Sequence, residues 1–204
     1  MNDKEKRGNH ISAEVRAQEG EDGKRKIVGY AVKWNELSNP IFGLFREQFE
    51  RGAFQKWLSD PNNKVIASWQ HRLHEVLGRR PKTLEVYEDD IGLRYEIDPP
   101  SWADKYVETI ERGDVDGSSF IFIPTVEEWD ETQDMAIRTI KEAQLHEVSP
   151  VTYPAYSQST SDVRGADGEF RSADKVFEKF KNSKEDYSAD LAMKKKKLEL
   201  LEKI

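Results

Sequence analysis

Short apolar segments with a period of two residues recur through the middle of the chain and constrain its fold more than any other feature. Such a period places every second side chain on the same face of a strand. Apolar residues at helical spacing predict short helices over residues 54–58 and 102–110, the second with Ser101 as its N-cap. Many short strands with two small helices predict an α+β fold, mostly β, in which helices surround a closed or nearly closed β-barrel. The predicted strands cover residues 28–34, 44–49, 65–71, 84–86, 91–97, 119–124, 125–129, 136–140 and 145–151.

The apolar residues are unevenly distributed, which predicts one globular domain between two polar extensions. All five tryptophans and most of the Phe, Ile and Val lie between about residues 26 and 156. A segment with few apolar residues and many charges cannot bury enough surface to fold alone. We therefore expect a flexible leader over residues 1–24, a globular domain over 25–164 and a charged tail over 165–204. The end of the tail predicts a marginal amphipathic helix that needs a partner.

The composition excludes several classes of protein. The chain has no cysteine, which rules out disulfides, thiol catalysis and cysteine-based zinc sites. Its net charge of −7 argues against non-specific nucleic-acid binding, which needs a basic face. No apolar run has the length of a membrane span and no signal-peptide core follows Met1, so we expect a cytosolic protein that does not enter a membrane. No metal or cofactor is implied.

Two adjacent hydroxyls at the start of an apolar segment are the first candidates for chemistry. Residues 113–122 read GDVDGSSFIF, so Ser118 and Ser119 follow a glycine and precede a strand that is otherwise apolar. A hydroxyl in that position either has a buried partner or faces a cleft. The alternative is an ordinary Gly-Ser turn without a catalytic role.

A histidine and an acid elsewhere could complete a hydrolytic site. His71 ends the predicted strand 65–71 and is placed on the same face as Trp69. His146 and Glu147 are adjacent on another predicted strand, where they point to opposite faces, so at most one can orient His71 directly. An imidazole that accepts a serine proton is the basis of serine-type acyl transfer. The plainer reading is a surface histidine and a solvated glutamate.

Five segments in order resemble the prohead (capsid maturation) serine proteases of tailed bacteriophages. They are residues 29–34, 49–54, 69–79, 113–122 and 147–156, and the likeness extends from about residue 27 to residue 163. The resemblance implies a fold like that of the herpesvirus assemblins, a β-barrel ringed by helices. It implies Ser119 as nucleophile, His71 as general base and Glu147 as third member, with Ser118 and His146 as the open alternatives.

The resemblance also implies substrates and a place of action. The substrates would be the precursor of the major capsid protein or a scaffolding protein, and the enzyme itself, cut inside the immature capsid in the host cytoplasm. The tail over 165–204 would serve as scaffold or be removed by self-cleavage. A homo-oligomer is left open.

Two other classes of function compete with this interpretation. The first is a scaffolding or assembly protein of the prohead that has no catalytic role or combines both roles. The second is a small serine esterase or amidase, but the chain lacks the Gly-x-Ser-x-Gly motif and the alternating β/α units of the usual hydrolase fold.

Overall fold

Two β-sheets and two short helices make up most of the structure. The computed structural model describes residues 4–8, 15–20, 25–41, 43–152, 176–178 and 180–182. The helices are α1 (Gln55–Leu58) and α2 (Asp104–Glu111), with a 3₁₀ turn at Ser101–Ala103 before α2. The strands are β1 (Glu5–Gly8), β2 (Val15–Glu19), β3 (Arg25–Lys33), β4 (Phe45–Phe49), β5 (Ile66–Trp69), β6 (Arg72–Arg79), β7 (Leu84–Glu88), β8 (Gly92–Ile97), β9 (Gly117–Asp130) and β10 (Ala136–Val151).

The first sheet is organised around β10, its longest strand. Strand β9 pairs antiparallel with one edge of β10 over the length of both strands. The other edge takes two short parallel strands, β4 along residues 136–140 and β5 along residues 147–148. Strand β6 extends the sheet beyond β5, and β1 pairs antiparallel with the outer edge of β9. One long strand therefore positions both β9 and β5 beside its C-terminal half.

The second sheet is antiparallel, in the order β2-β3-β8-β7, and shares one core with the first. The ring of Phe49 lies 5.3 Å from that of Phe120 and 5.1 Å from that of Phe122, so β4 packs against the inner face of β9. From the second sheet, Tyr95 is buried in the same core and hydrogen-bonds to Ser118. Burying one such aromatic side chain contributes roughly 1.5–3 kcal/mol.

Helix α2 covers part of this core with one apolar face. Tyr106, Val107 and Ile110 are its buried residues. The helix stops where Gly113 adopts a φ of 77°, a left-handed conformation that glycine reaches without steric cost. The predicted N-cap is wrong, because Ser101 begins the 3₁₀ turn and no side chain caps α2 at Ala103.

The structure confirms a mostly β, α+β fold, but the predicted barrel is wrong. The described strands form two separate sheets that do not close, with β1 and β6 at the edges of one and β2 and β7 at the edges of the other. A period of two identifies strands but does not say which edges pair. Two strands, β1 and β2, lie within residues 1–24, which the sequence analysis assigned to a flexible leader.

The chain divides into two units, Met1–Phe170 and Arg171–Ile204. In the second unit the described residues are helical, at 176–178 and 180–182. The predicted boundary at residues 164 and 165, and most of the predicted tail, lie outside the described residues. Within the described part of the chain, no helix is both long and apolar enough to span a membrane.

Candidate active site

His71 lies in a tight turn rather than on a strand face. Trp69 pairs with Arg72, which leaves Gln70 and His71 as the two-residue loop between β5 and β6. Their φ angles are 55° and 60°. Two central residues with positive φ are typical of a type I′ hairpin turn. The expectation that His71 continues the face of β5 is therefore wrong, because the chain reverses one residue earlier.

The end of β10 holds this turn in place. Residues other than glycine cost about 1–3 kcal/mol each in the left-handed region, so neighbouring contacts must fix the turn. The backbone N–H of Gln70 donates to the Pro150 carbonyl oxygen at 3.1 Å, and its side-chain amide donates to Thr152 Oγ1 at 2.7 Å. The backbone N–H of His71 donates to Ser149 Oγ at 3.0 Å. Both turn residues are thus tied to the strand that carries Glu147.

The structure brings the three predicted side chains into one hydrogen-bonded chain. His71 Nε2 lies 2.7 Å from Ser119 Oγ, and His71 Nδ1 lies 2.9 Å from Glu147 Oε2. Ser119 has no exposed surface, and the side chains of His71 and Glu147 are 10% and 2% exposed. Three strands meet here, because β9 carries the serine, β10 the glutamate and the β5–β6 turn the histidine. The arrangement can move a proton from the serine to the histidine.

A bulge at His146 turns Glu147 toward this site. Leu145 pairs with Phe122, but Glu147 pairs with Ile121, so His146 is the extra residue. Without a bulge, residues 145 and 147 would point to the same face. The extra residue reverses which side chains of β10 point to each face of the sheet, so that Leu145 faces the core while Glu147 lies on the same face as Ser119.

Two further serines, which were not among the residues predicted from the sequence, contact Glu147. Ser68 Oγ donates to Glu147 Oε1 and lies 3.0 Å from Ser149 Oγ. Ser149 Oγ lies 2.8 Å from the Ser68 carbonyl oxygen and 3.2 Å from Glu147 Oε1. Both serines are fully buried. Ser149 is two residues after Glu147 on a strand, so the period of two could have indicated that they share a face.

These contacts keep Glu147 ionised. Burial opposes the charge and by itself raises the pKa of the carboxyl group. The hydrogen bond from His71, the charge of His71 and the hydrogen bonds from Ser68 and Ser149 outweigh it, so the pKa lies below its ordinary value of 4.5. An ionised carboxylate accepts the Nδ1 proton of His71 and leaves Nε2 free to accept one from Ser119.

Ser118 points away from the histidine into the core. It is fully buried, and its hydroxyl lies 2.5 Å from the Tyr95 hydroxyl. Adjacent residues of a strand face opposite sides, so Ser118 and Ser119 cannot both reach His71. Ser118 therefore has a structural partner on the second sheet.

His146 also lies away from the histidine–serine pair. Its ring centroid is 5.7 Å from that of Trp57, and its buried Nε2 has no hydrogen-bond partner among the residues that the structure describes. Burial, followed by the positive charge of Lys4, lowers the pKa of His146 below its ordinary value of 6.5. The side chain is thus neutral above that value and is not placed to orient His71.

In the part of the chain that the structure describes, no cluster of three or more His, Asp or Glu side chains could hold a metal ion. The site's chemistry is built from a hydroxyl, an imidazole and a carboxylate. These are the three groups of serine-type acyl transfer.

The model of the family described as caudovirus prohead serine protease matches residues 11–172, which is most of the chain. Among solved structures, the bacteriophage T4 capsid assembly protease is similar with a TM-score of 0.41 and 12% sequence identity, over 72% of this chain and 96% of that one. No curated protein matches the sequence. On the extent of the family match, the chain is a serine protease that belongs to the caudovirus prohead serine protease family.

Proposed function

We propose that this protein is an endopeptidase that cuts capsid-precursor or scaffold segments during phage head maturation, with Ser119, His71 and Glu147 as its catalytic residues. The observation that carries the proposal is the continuous chain of hydrogen bonds from Ser119 Oγ through the imidazole of His71 to the buried carboxylate of Glu147. Family membership supports the same role, because enzymes of this family are proteases of the prohead.

The first half of the reaction would form an acyl-enzyme. Ser119 Oγ attacks the carbonyl carbon of the scissile peptide bond while His71 Nε2 accepts the hydroxyl proton. The carbonyl π electrons move to the oxygen, which gives a tetrahedral intermediate. When the carbon–nitrogen bond breaks, the imidazolium of His71 returns its proton to the leaving amine. Glu147 stabilises that imidazolium and keeps the proton on Nδ1.

Hydrolysis of the ester would complete the cycle with the same groups. His71 takes a proton from water, the resulting hydroxide attacks the acyl carbon, and the proton then passes to Ser119 Oγ as the ester bond breaks. No redox step or added reactant is needed. We place this activity inside the immature capsid, where the precursor of the major capsid protein and the scaffolding protein are the expected substrates.

The direct test uses the wild-type protein and two serine variants. Purified wild type, Ser119→Ala and Ser118→Ala proteins are each incubated with capsid-precursor protein, and new termini are identified by mass spectrometry. We expect new termini from wild type and from Ser118→Ala, and none from Ser119→Ala. Co-assembly without new termini in all three samples would instead support a scaffolding role and overturn the proposal.

The same variants test self-processing of the tail over residues 165–204. Wild type and Ser119→Ala are expressed in parallel, and their fragments are followed over time. Fragments that form only with wild type support self-cleavage. Identical fragments from both proteins would show that a host protease makes the cuts.

A further inference from the structure

Strand β1 occupies the edge of β9 beside the candidate nucleophile. Its four residues pair antiparallel with β9, Glu5 opposite Phe122 and Gly8 opposite Ser119. The other edge of β9 is paired with β10 from Gly117 to Asp130. The edge that faces β1 is therefore where an extended peptide could pair with the main chain next to Ser119.

A peptide that is to be cut needs such an edge. Proteins commonly bind extended peptides by adding them as a strand, because the main-chain hydrogen bonds supply affinity for any sequence. The carbonyl carbon under attack must come within about 3–3.5 Å of the nucleophile, so the bound strand must run past the serine. Strand β1 runs in this way and reaches Ser119 at its C-terminal end, Gly8.

The burial of Ser119 is consistent with an occupied site. The hydroxyl of Ser119 is hydrogen-bonded to His71, but the residue has no exposed surface. A substrate therefore cannot reach it in this arrangement. Among the described residues, β1 pairs over four residues and at one edge. A strand of that length is held weakly, so its release is a simple route to an accessible serine.

We propose that the edge of β9 at residues 119–122 is the peptide-binding edge of the protease and that β1 is an internal ligand that occupies it. The inference rests on the proposed function, since it takes Ser119 as the nucleophile. Residues Glu5–Gly8 lie where the residues on the N-terminal side of a cut would lie. Because β1 belongs to the same chain, its effective concentration at the edge is in the millimolar range, and it competes with any substrate that arrives from outside.

The test compares proteins with and without β1. A variant that lacks residues 1–8 is compared with the full chain, with a variant that lacks residues 1–3 as matched control, because it keeps β1. A Gly8→Pro variant keeps the segment but removes the backbone N–H beside Ser119 and restricts the backbone. We take the dissociation constant of β1 for the edge of β9 to be about tenfold below the effective concentration of β1. Removing β1 then lowers KM about tenfold and leaves kcat unchanged.

Binding is measured separately so that the inference does not depend on turnover. In the Ser119→Ala background, a fluorescein-labelled peptide with the sequence of residues 1–12 is titrated into each protein and followed by anisotropy. We expect binding to the proteins that lack β1 or carry Gly8→Pro, and about tenfold weaker binding to the full chain and to the control. Equal binding to all four proteins, or to none, would overturn the inference.

The two proposals fail in different ways. If no protein is labelled by a serine-directed probe but the peptide still discriminates between them, the edge binds peptides and the catalytic assignment is wrong. If all four proteins cut substrate with the same KM, catalysis stands and β1 is only a structural strand. Should the protein without residues 1–8 lose its circular dichroism spectrum, the Gly8→Pro variant and its peptide titration decide the question.

Discussion

Replacing Glu147 by glutamine tests how the buried carboxylate acts on His71. Glu147 Oε2 faces His71 Nδ1, whereas Oε1 receives the hydroxyl of Ser68 and has that of Ser149 at 3.2 Å. An amide has one oxygen, and that oxygen takes the position where the Ser68 hydroxyl donates. Its NH₂ group then faces Nδ1 and donates to it, which moves the imidazole proton to Nε2. In that tautomer His71 cannot accept the proton of Ser119.

The expected loss is large. The corresponding change in a known serine protease lowers kcat about 10⁴-fold, which corresponds to about 5 kcal/mol in the activation free energy. The assay is kcat/KM on a cleavable precursor peptide, with the rate of labelling by a fluorophosphonate probe as a second measure. A Glu147→Gln protein that keeps its activity within tenfold of wild type would refute the role given to the carboxylate.

A second substitution separates the tautomer explanation from simple loss of charge. Ser68→Ala in the Glu147→Gln background removes one donor that holds the amide oxygen, so the amide can rotate more readily toward His71. One neutral hydrogen bond is worth about 1 kcal/mol, so we expect a regain of about fivefold. Ser68→Ala alone serves as control and is expected to lower activity. A further loss in the double variant, instead of a regain, would contradict the tautomer explanation.

Two other substitutions and one pH comparison test the structure more broadly. Ser118→Ala is expected to cost about 1–3 kcal/mol of stability in thermal unfolding, because it removes a buried hydrogen bond, yet to retain probe labelling that Ser119→Ala abolishes. Arg138→Ala is expected to cost about 3–5 kcal/mol in urea unfolding, since buried Arg138 lies 2.8 Å from the buried Glu47 carboxylate; a cost below 1 kcal/mol would refute this. Folding lowers the pKa of Glu147, so the stabilisation from its ionised carboxylate is complete above pH 4.5 and is lost as the pH falls through the pKa of the folded state. The free energies of unfolding of wild type and Glu147→Gln should therefore converge in acid.

Elements with an uninterrupted period are among those that sequence patterns predicted. The β7–β8 hairpin follows from alternating apolar residues, and α2 follows from its buried face at Tyr106, Val107 and Ile110. By contrast, β9 and β10 were each predicted as two separate strands, at residues 119–124 and 125–129 and at residues 136–140 and 145–151. Bulges at residues 140–143 and at His146 interrupt the period without ending the strand.

The three candidate side chains were selected from sequence, but their geometry was not predictable in the same way. The bulge that turns Glu147 toward the site depends on the register between β10 and β9. The turn that presents His71 depends on positive φ angles at Gln70 and His71, neither of which is a glycine. Tertiary contacts from Ser149 and Thr152 hold that turn, and they join residues far apart in the chain. The catalytic roles themselves stay predictions until they are measured.

Strand β10 positions all three candidate catalytic groups. It carries Glu147 and Ser149, pairs with the strand of Ser119, and anchors the turn of His71. A displacement of its C-terminal half would therefore disturb all three candidate catalytic groups together. Its N-terminal half is fixed independently by β4 and by the buried ion pair of Arg138 with Glu47.

Mapping the site of a fluorophosphonate label by mass spectrometry identifies the nucleophile. The wild-type protein is labelled, digested and compared with a His71→Ala variant under the same conditions. We predict a single modified residue, Ser119, in the wild type and labelling slower by about a hundredfold or more in the variant. A label on Ser118, or equal labelling of both proteins, would contradict it.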